Sequence, residues 1–172
     1  QVLEAALGAG YTVTVNPYPS TTAAMKAAMD GEAEVSYTAD VGMEPLYAGE
    51  GAFKDFKPSK GKLVHTWYAY QMESFMAVYA PKAEQYKSWK DFSGKPVFFT
   101  PAGFMNWLNF RRVFKALGYD FKHLQLGEAA QGDALQAGTI VGSVAYTTSG
   151  ASLPSYWRET ELRLDIKVVN PT

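Results

Sequence analysis

The sequence predicts an α/β fold of two lobes built on mostly parallel sheets, with the first lobe incomplete. Three observations carry this. Residues 11–48 run strand, polar turn, helix, strand, turn, helix, a βαβ rhythm that calls for parallel strands joined by right-handed crossovers. Residues 92–169 repeat the rhythm. Between Phe92 and Gly118 the chain reads as loop, buried strand, Gly-containing turn and amphipathic helix, an order that leaves free backbone N–H groups at the carboxyl edge of an open sheet.

The elements follow in order. Val2, Leu3, Ala6 and Leu7 form a short helical stripe ended by Gly8 to Gly10. Tyr11 to Val15 alternates β-branched and aromatic residues and predicts a strand, which Asn16-Pro-Tyr-Pro19 interrupts. Ser20 or Thr21 is a natural N-cap for a helix over 23–30, ended by Gly31. Ala33 to Thr38 predicts the next strand, and Met43 to Ala48 a short helix. A polar loop spans 49–61. Residues 62–71 and 73–79 form two extended, aromatic-rich runs, and 81–91 a loop or short helix.

In the second half, the continuous apolar run Val97-Phe-Phe99 lies in a strand over 95–100, as suits a strand covered on both faces. Pro101-Ala-Gly103 breaks it. Asn106 is a candidate N-cap for a helix that recurs apolar at Trp107, Phe110, Val113, Phe114 and Leu117 and stops at Gly118. A strand over 121–126, a helix over 128–137, an apolar strand over 139–146, a polar turn over 147–150, a helix over 153–162 and a last strand over 164–169 complete the chain. The expected organisation is lobe one over 1–61, hinge or crossover strands over 62–80, lobe two over 81–163, and a strand over 164–172 returning toward lobe one.

Composition narrows the function classes. The 172 residues are 47% hydrophobic, 15% aromatic and 19% charged, which is a core-forming chain and not a disordered one. A net charge of −1 gives no electrostatic case for nucleic-acid binding. The absence of cysteine removes disulfides, thiol catalysis and cysteine-bound zinc. His65 and His123 form no metal-ligand spacing, so no metal and no other cofactor is expected. No apolar run is long enough to span a bilayer. The chain shows no Ser–His–Asp order, no phosphate loop and no paired carboxylates in a motif, and no enzyme activity is expected.

The candidate site residues are those at helix starts and strand ends. Ser20, Thr21 and Thr22 open a helix, where hydroxyl and backbone N–H groups suit a ligand carboxylate and equally suit plain N-capping. Gly103, Phe104, Met105 and Asn106 are the matching start in lobe two. Tyr146, Thr147 and Thr148 stand at the carboxyl end of a strand, where open sheets bind ligands, though an ordinary turn uses the same residues. Trp67, Tyr68, Tyr70 and Gln71 lie in the connecting segment, where aromatic rings stack on a ligand or fill a core. Asp40 follows a strand and suits an amino group, a cation or plain solvation.

The order of these motifs resembles the extracytoplasmic solute-binding proteins of TRAP transporters, of the TAXI type. The likeness rests on Ser20-Thr-Thr through Met29-Asp-Gly-Glu-Ala-Glu-Val35, on Trp89-Lys-Asp-Phe-Ser-Gly-Lys95 before a strand, on the turn and helix from Pro101 to Tyr119 with its Ala-Leu-Gly-Tyr end, and on Glu128-Ala-Ala through Ala134-Leu-Gln-Ala-Gly138. The resemblance implies a periplasmic-binding-protein-like fold of type II. It implies a periplasmic location, a signal peptide in the full-length precursor, a small-molecule solute (an organic anion or amino acid) and TRAP membrane permease subunits as partners. The family has an earlier strand and Gly-rich loop, so the resemblance also implies that this chain is a piece with a truncated first lobe, and self-association of the piece is expected from its unpaired edge. Where the family carries a Gly-Ser-Gly-Thr-like turn, this chain has Ala102-Gly-Phe-Met105, which implies a more apolar pocket or a differently placed one. A ligand-sensing effector domain of a transcription regulator, or an enzyme on the same fold, is the alternative reading.

Overall fold

The structure is a computed structural model that describes residues 2–172. Its centre is a five-stranded sheet of β1 (Met72–Tyr79), β2 (Pro96–Phe98), β3 (Lys122–His123), β4 (Gly142–Thr148) and β5 (Ile166–Val169), in the order β3-β2-β4-β1-β5. β2 pairs parallel with β3 and β4, and β1 pairs antiparallel with β4 and β5. Four of the five strands therefore point one way, which makes the sheet mostly parallel, and β1 runs against them between β4 and β5.

Both faces of the sheet are covered. Alternate side chains of each strand face opposite sides, so Met76, Val78, Val97, Phe99 and Val144 enter one core and Ala77, Phe98 and Ala145 the other. The first core closes under helix α4 (Met105–Ala116) through Phe110 and Phe114, with Tyr86, Trp89 and Phe92 from the turns after β1. The second closes under α5 (Gln131–Ala137) and α6 (Ser155–Arg163) through Leu135 and Trp157. The indole N–H of Trp157 donates to the Val144 carbonyl at 2.9 Å, and that of Trp89 to the Val169 carbonyl at 2.8 Å, so the large rings are buried without orphaning their donors.

Lobe one is smaller. After α1 (Val2–Leu7), its helices α2 (Thr21–Asp30) and α3 (Met43–Ala48) enclose Met25, Met29, Leu46 and Phe53. Ser20 caps α2, its hydroxyl accepting from the Ala23 amide at 3.1 Å, and Gly31 ends it at φ 79°.

The structure departs from the sequence reading at several places. Residues 11–15 and 33–38 carry no strand, because an alternating pattern makes a strand only where a neighbouring strand supplies the ladder, and none pairs with them here. Residues 62–71 are likewise outside any strand, whereas 72–79, expected in the hinge, is β1 inside the main sheet. The segment expected to return toward lobe one instead forms β5 on the edge beside β1, where Ile166 packs into the second core. The cap of α4 is Phe104 and not Asn106, which lies inside the helix. Thr147 and Thr148 belong to β4 and not to the turn after it.

Candidate functional site

The carboxyl ends of β2, β3 and β4 meet where the chain turns from one neighbour of β2 to the other. The connection from β2 to β3 carries α4 and that from β3 to β4 carries α5, and the two helices cover opposite faces. That is a topological switch point, and its crevice is the place where open α/β sheets hold ligands. A cleft of about 940 Å³ opens there, with Thr100, Phe104, Met105, Asn106 and Tyr146 on the sheet side and residues 34–41 and 62–71 on the lobe-one side. A smaller groove of about 490 Å³ lies at the far end of α4, beside Arg111, Arg112 and Lys115, and contains none of the residues read from the sequence as a site.

Of those residues, Thr21, Asp40, Trp67, Tyr68, Tyr70, Gln71, Phe104, Met105, Asn106 and Tyr146 line the cleft together. The others are engaged in holding the protein together. Ser20 caps α2 and packs on Gly103, where a Cβ would stand 3.0 Å from the serine Cβ. Thr22 donates its hydroxyl to the Gly103 carbonyl at 3.2 Å. Thr147 donates to Glu73 Oε2 at 2.9 Å, and the same oxygen accepts from the Gly150 amide at 2.9 Å, bonds that hold the Glu73 carboxyl below the usual carboxylate range. Thr148 pairs with Met72 and donates its amide to Ser152. The two helix starts thus meet by direct contact of Ser20 and Thr22 with Gly103, and the open volume lies beside that contact.

Lobe one is fixed to α4 by three further contacts. Gly42 approaches Met105 so closely that a Cβ would lie 2.6 Å from the methionine sulfur. Arg112 pairs with Glu44 at 2.8 Å and reaches the Val41 carbonyl at 3.5 Å. The ion pair is exposed, so the Gly42–Met105 packing is the stronger fastening.

Sequence reasoning missed the central residue. Thr100 is 2% exposed, lines the cleft, and its hydroxyl has no hydrogen-bond partner among the described residues. Its φ is 81°. A β-branched residue in that region is strained, by roughly 1–3 kcal/mol. The residue before a proline is normally pushed toward extended backbone, so the run Thr100-Pro101 argues for the opposite conformation and offers no signal for this one. The carbonyl of Thr100 is held by His123 Nε2 at 3.0 Å. Next to it, the start of α4 has no side-chain cap. The Leu108 amide bonds back to Phe104, and the amides of Met105, Asn106 and Trp107 are the unpaired donors of a helix N-terminus. Ser74, on β1, reaches Asn106 Oδ1 at 3.4 Å from the other side.

The cleft is also rich in tyrosine. Tyr37 and Tyr70 pack against each other on its lobe-one side, with ring centroids 6.0 Å apart. Burial raises the phenol of Tyr146, with Glu128 adding to the rise, and burial raises that of Tyr156 further. Both stay neutral hydroxyls at any ordinary pH. Burial alone pushes the Glu128 carboxyl upward.

No family model matches the chain, and no curated protein matches it. Several solved structures are similar to part of it. A periplasmic binding protein of an ABC transporter from Brucella ovis, with glutathione bound, matches at TM-score 0.45 and 16% identity over 57% of this chain and 30% of its own. The sulfonate-binding protein SsuA of Methylobacillus flagellatus KT, described as putative, matches at 0.44 and 23% identity over 58% and 28%. The CcmR regulatory domain of Synechocystis PCC6803, in complex with 2-PG, matches at 0.40 and 14% identity over 62% and 54%. The chain therefore spans between 28% and 54% of the length of these proteins. Among the described residues, no helix is long and apolar enough to cross a membrane.

Proposed function

We propose that this chain is the solute-gripping part of an extracytoplasmic solute-binding protein, which takes a small carboxylate-bearing solute into the cleft between its lobes and delivers it to a membrane permease of the TRAP kind. Catalysis is no part of this reading. The observation that carries it is Thr100: a strained, buried residue of the cleft lining, next to the uncapped start of α4, whose hydroxyl has no partner among the described residues. Backbone strain and an unsatisfied buried polar group both cost stability, and their coincidence at one residue is the mark of a site shaped for a ligand.

A carboxylate seated there would accept from the Thr100 hydroxyl and from the first amides of α4, with the positive end of the helix dipole toward it. Thr21 and Tyr68 close the lobe-one side, and Phe104, Met105 and Tyr146 set the size of what fits. Delivery to a TRAP permease rests on the resemblance of the Ser20–Val35 and Trp89–Lys95 segments to TAXI-type proteins.

Thr100→Val keeps the shape and removes the hydroxyl. Titration calorimetry with a panel of organic acids and amino acids should show at least a tenfold loss of affinity, about 1.4 kcal/mol, for whichever solutes the parent binds. Unchanged affinity in the variant would remove Thr100 from the site, and a parent that binds no carboxylate in the panel would end the solute-binding reading.

A further inference from the structure

The cleft is built for more than an anion. Its lining carries three carboxylates, Glu34, Asp40 and Glu128, against Lys62 and His65. Acidic side chains outnumber the lysine here, so the lining does not favour an anion by its net charge. At Thr100 and the start of α4, a buried hydroxyl without a partner stands next to the free amides of a helix start.

Glu128 is the carboxylate that stands apart. It is half-buried, faces the cleft at the mouth of the turn before α5, and forms no ion pair or hydrogen bond among the described residues. Asp40 differs, since its Oδ1 already accepts from the Val41 amide at 2.7 Å. A carboxylate drawn half out of water without a partner is costly, and the cost is recovered when a cation arrives. The neutral phenols of Tyr70 and Tyr146 line the same cleft as Glu128, and the Glu128 charge helps to raise Tyr146. Aromatic rings and phenol oxygens both favour an ammonium, the rings by their electron-rich faces and the oxygens as acceptors.

Resting on the proposed solute-binding reading, we infer that the solute is a zwitterion, its ammonium group held by Glu128 with Tyr70 and Tyr146 around it and its carboxylate by Thr100 and the first amides of α4. Selectivity then follows from two opposite charges a fixed distance apart. A solute with only the carboxylate leaves Glu128 unpaired beside it and is rejected.

The test uses the full chain and two probe mixtures in ligand-observed NMR: neutral-side-chain L-amino acids with glycine betaine, and the N-acetyl forms of the same amino acids with succinate. Calorimetry follows on the strongest binder of each. The inference expects zwitterions to bind at least tenfold more tightly than their N-acetyl forms. Glu128→Gln should lose at least tenfold for the zwitterion and tighten for the N-acetyl acid, and Glu128→Asp should recover part of the loss. Glycine betaine separates a quaternary from a primary ammonium. Glu128→Gln should melt at or above the parent, which shows that it is folded. N-acetyl acids or succinate binding as tightly as zwitterions, or Glu128→Gln binding zwitterions unchanged, would overturn the ammonium assignment and leave the carboxylate site standing. Binding by neither mixture would overturn both.

Discussion

His123 donates from Nε2 to the carbonyl of Thr100 at 3.0 Å, so a half-buried imidazole holds the one strained residue at the bottom of the cleft. The ring packs among Phe98, Phe99 and Trp107, with Arg111 on the same side. Burial is the main reason its pKa lies below the usual histidine value, and Arg111 adds to the fall while the bond to Thr100 opposes it. A base with a lowered folded pKa is protonated first in the unfolded chain. Stability is therefore lost as pH falls from the ordinary histidine range through the lowered folded value. The melting temperature should drop over that interval, and His123→Gln, which keeps a donor for Thr100, should flatten the drop. An equal slope in the variant would show that other groups cause it.

Thr100→Val should hold or raise the melting temperature. Valine has the same branched shape and carries the same backbone strain, while the buried hydroxyl without a partner disappears. Leaving such a group unsatisfied costs about 1–3 kcal/mol. A variant that binds solute less well yet melts no lower is the signature of a residue kept for its ligand and not for the fold. Differential scanning calorimetry beside the binding titration measures both sides.

The two lobes should part more readily at Gly42 than at the ion pair. Gly42→Val drives a branched side chain into the space occupied by Met105 and Met25 sulfur atoms. Limited proteolysis should then cut the 49–61 loop region faster than in the parent. Arg112→Ala breaks the exposed pair with Glu44 and should change stability by less than about 1 kcal/mol. Equal protease sensitivity in the two variants would contradict this ranking.

Gly142→Ala should destabilise the sheet by about 1–3 kcal/mol through overpacking. Its Cβ would lie 2.7 Å from Phe92 Cε1 and 2.9 Å from Met76 Cε, and Phe92 is wholly buried and stacked on Tyr86. Urea titration with an unchanged m-value and a lower midpoint is the expected result.

Local signals were legible where local forces decide. The helix over 43–48 came through intact, and of the two cap candidates Ser20 and Thr21 the cap is Ser20, because Gly49 and the Ser20 hydroxyl act within a turn of their own backbone. The helix read as 106–117 is α4, displaced by one residue because the backbone of Phe104 takes the cap position. Strands were less secure. Tyr11 to Val15 and Ala33 to Thr38 have the pattern of strands, but a ladder is a property of two segments, and one segment's sequence does not say whether its partner is present. The antiparallel sense of β1 was hidden for the same reason. In the site, Tyr146 and Met105 were readable from their places at a strand end and a helix start. Thr147 was readable as polar and well placed, yet its hydroxyl belongs to Glu73, 74 positions away in sequence. Thr100 was invisible, since its φ contradicts what both threonine and a following proline favour.

Of the four tryptophans, Trp89 and Trp157 are buried in the two cores of the sheet and Trp107 lies under the Arg111 guanidinium. Trp67 alone is exposed and lines the cleft. The molecule therefore carries its own optical reporter: three indoles emit from fixed surroundings, and the fourth exchanges water for whatever enters the crevice.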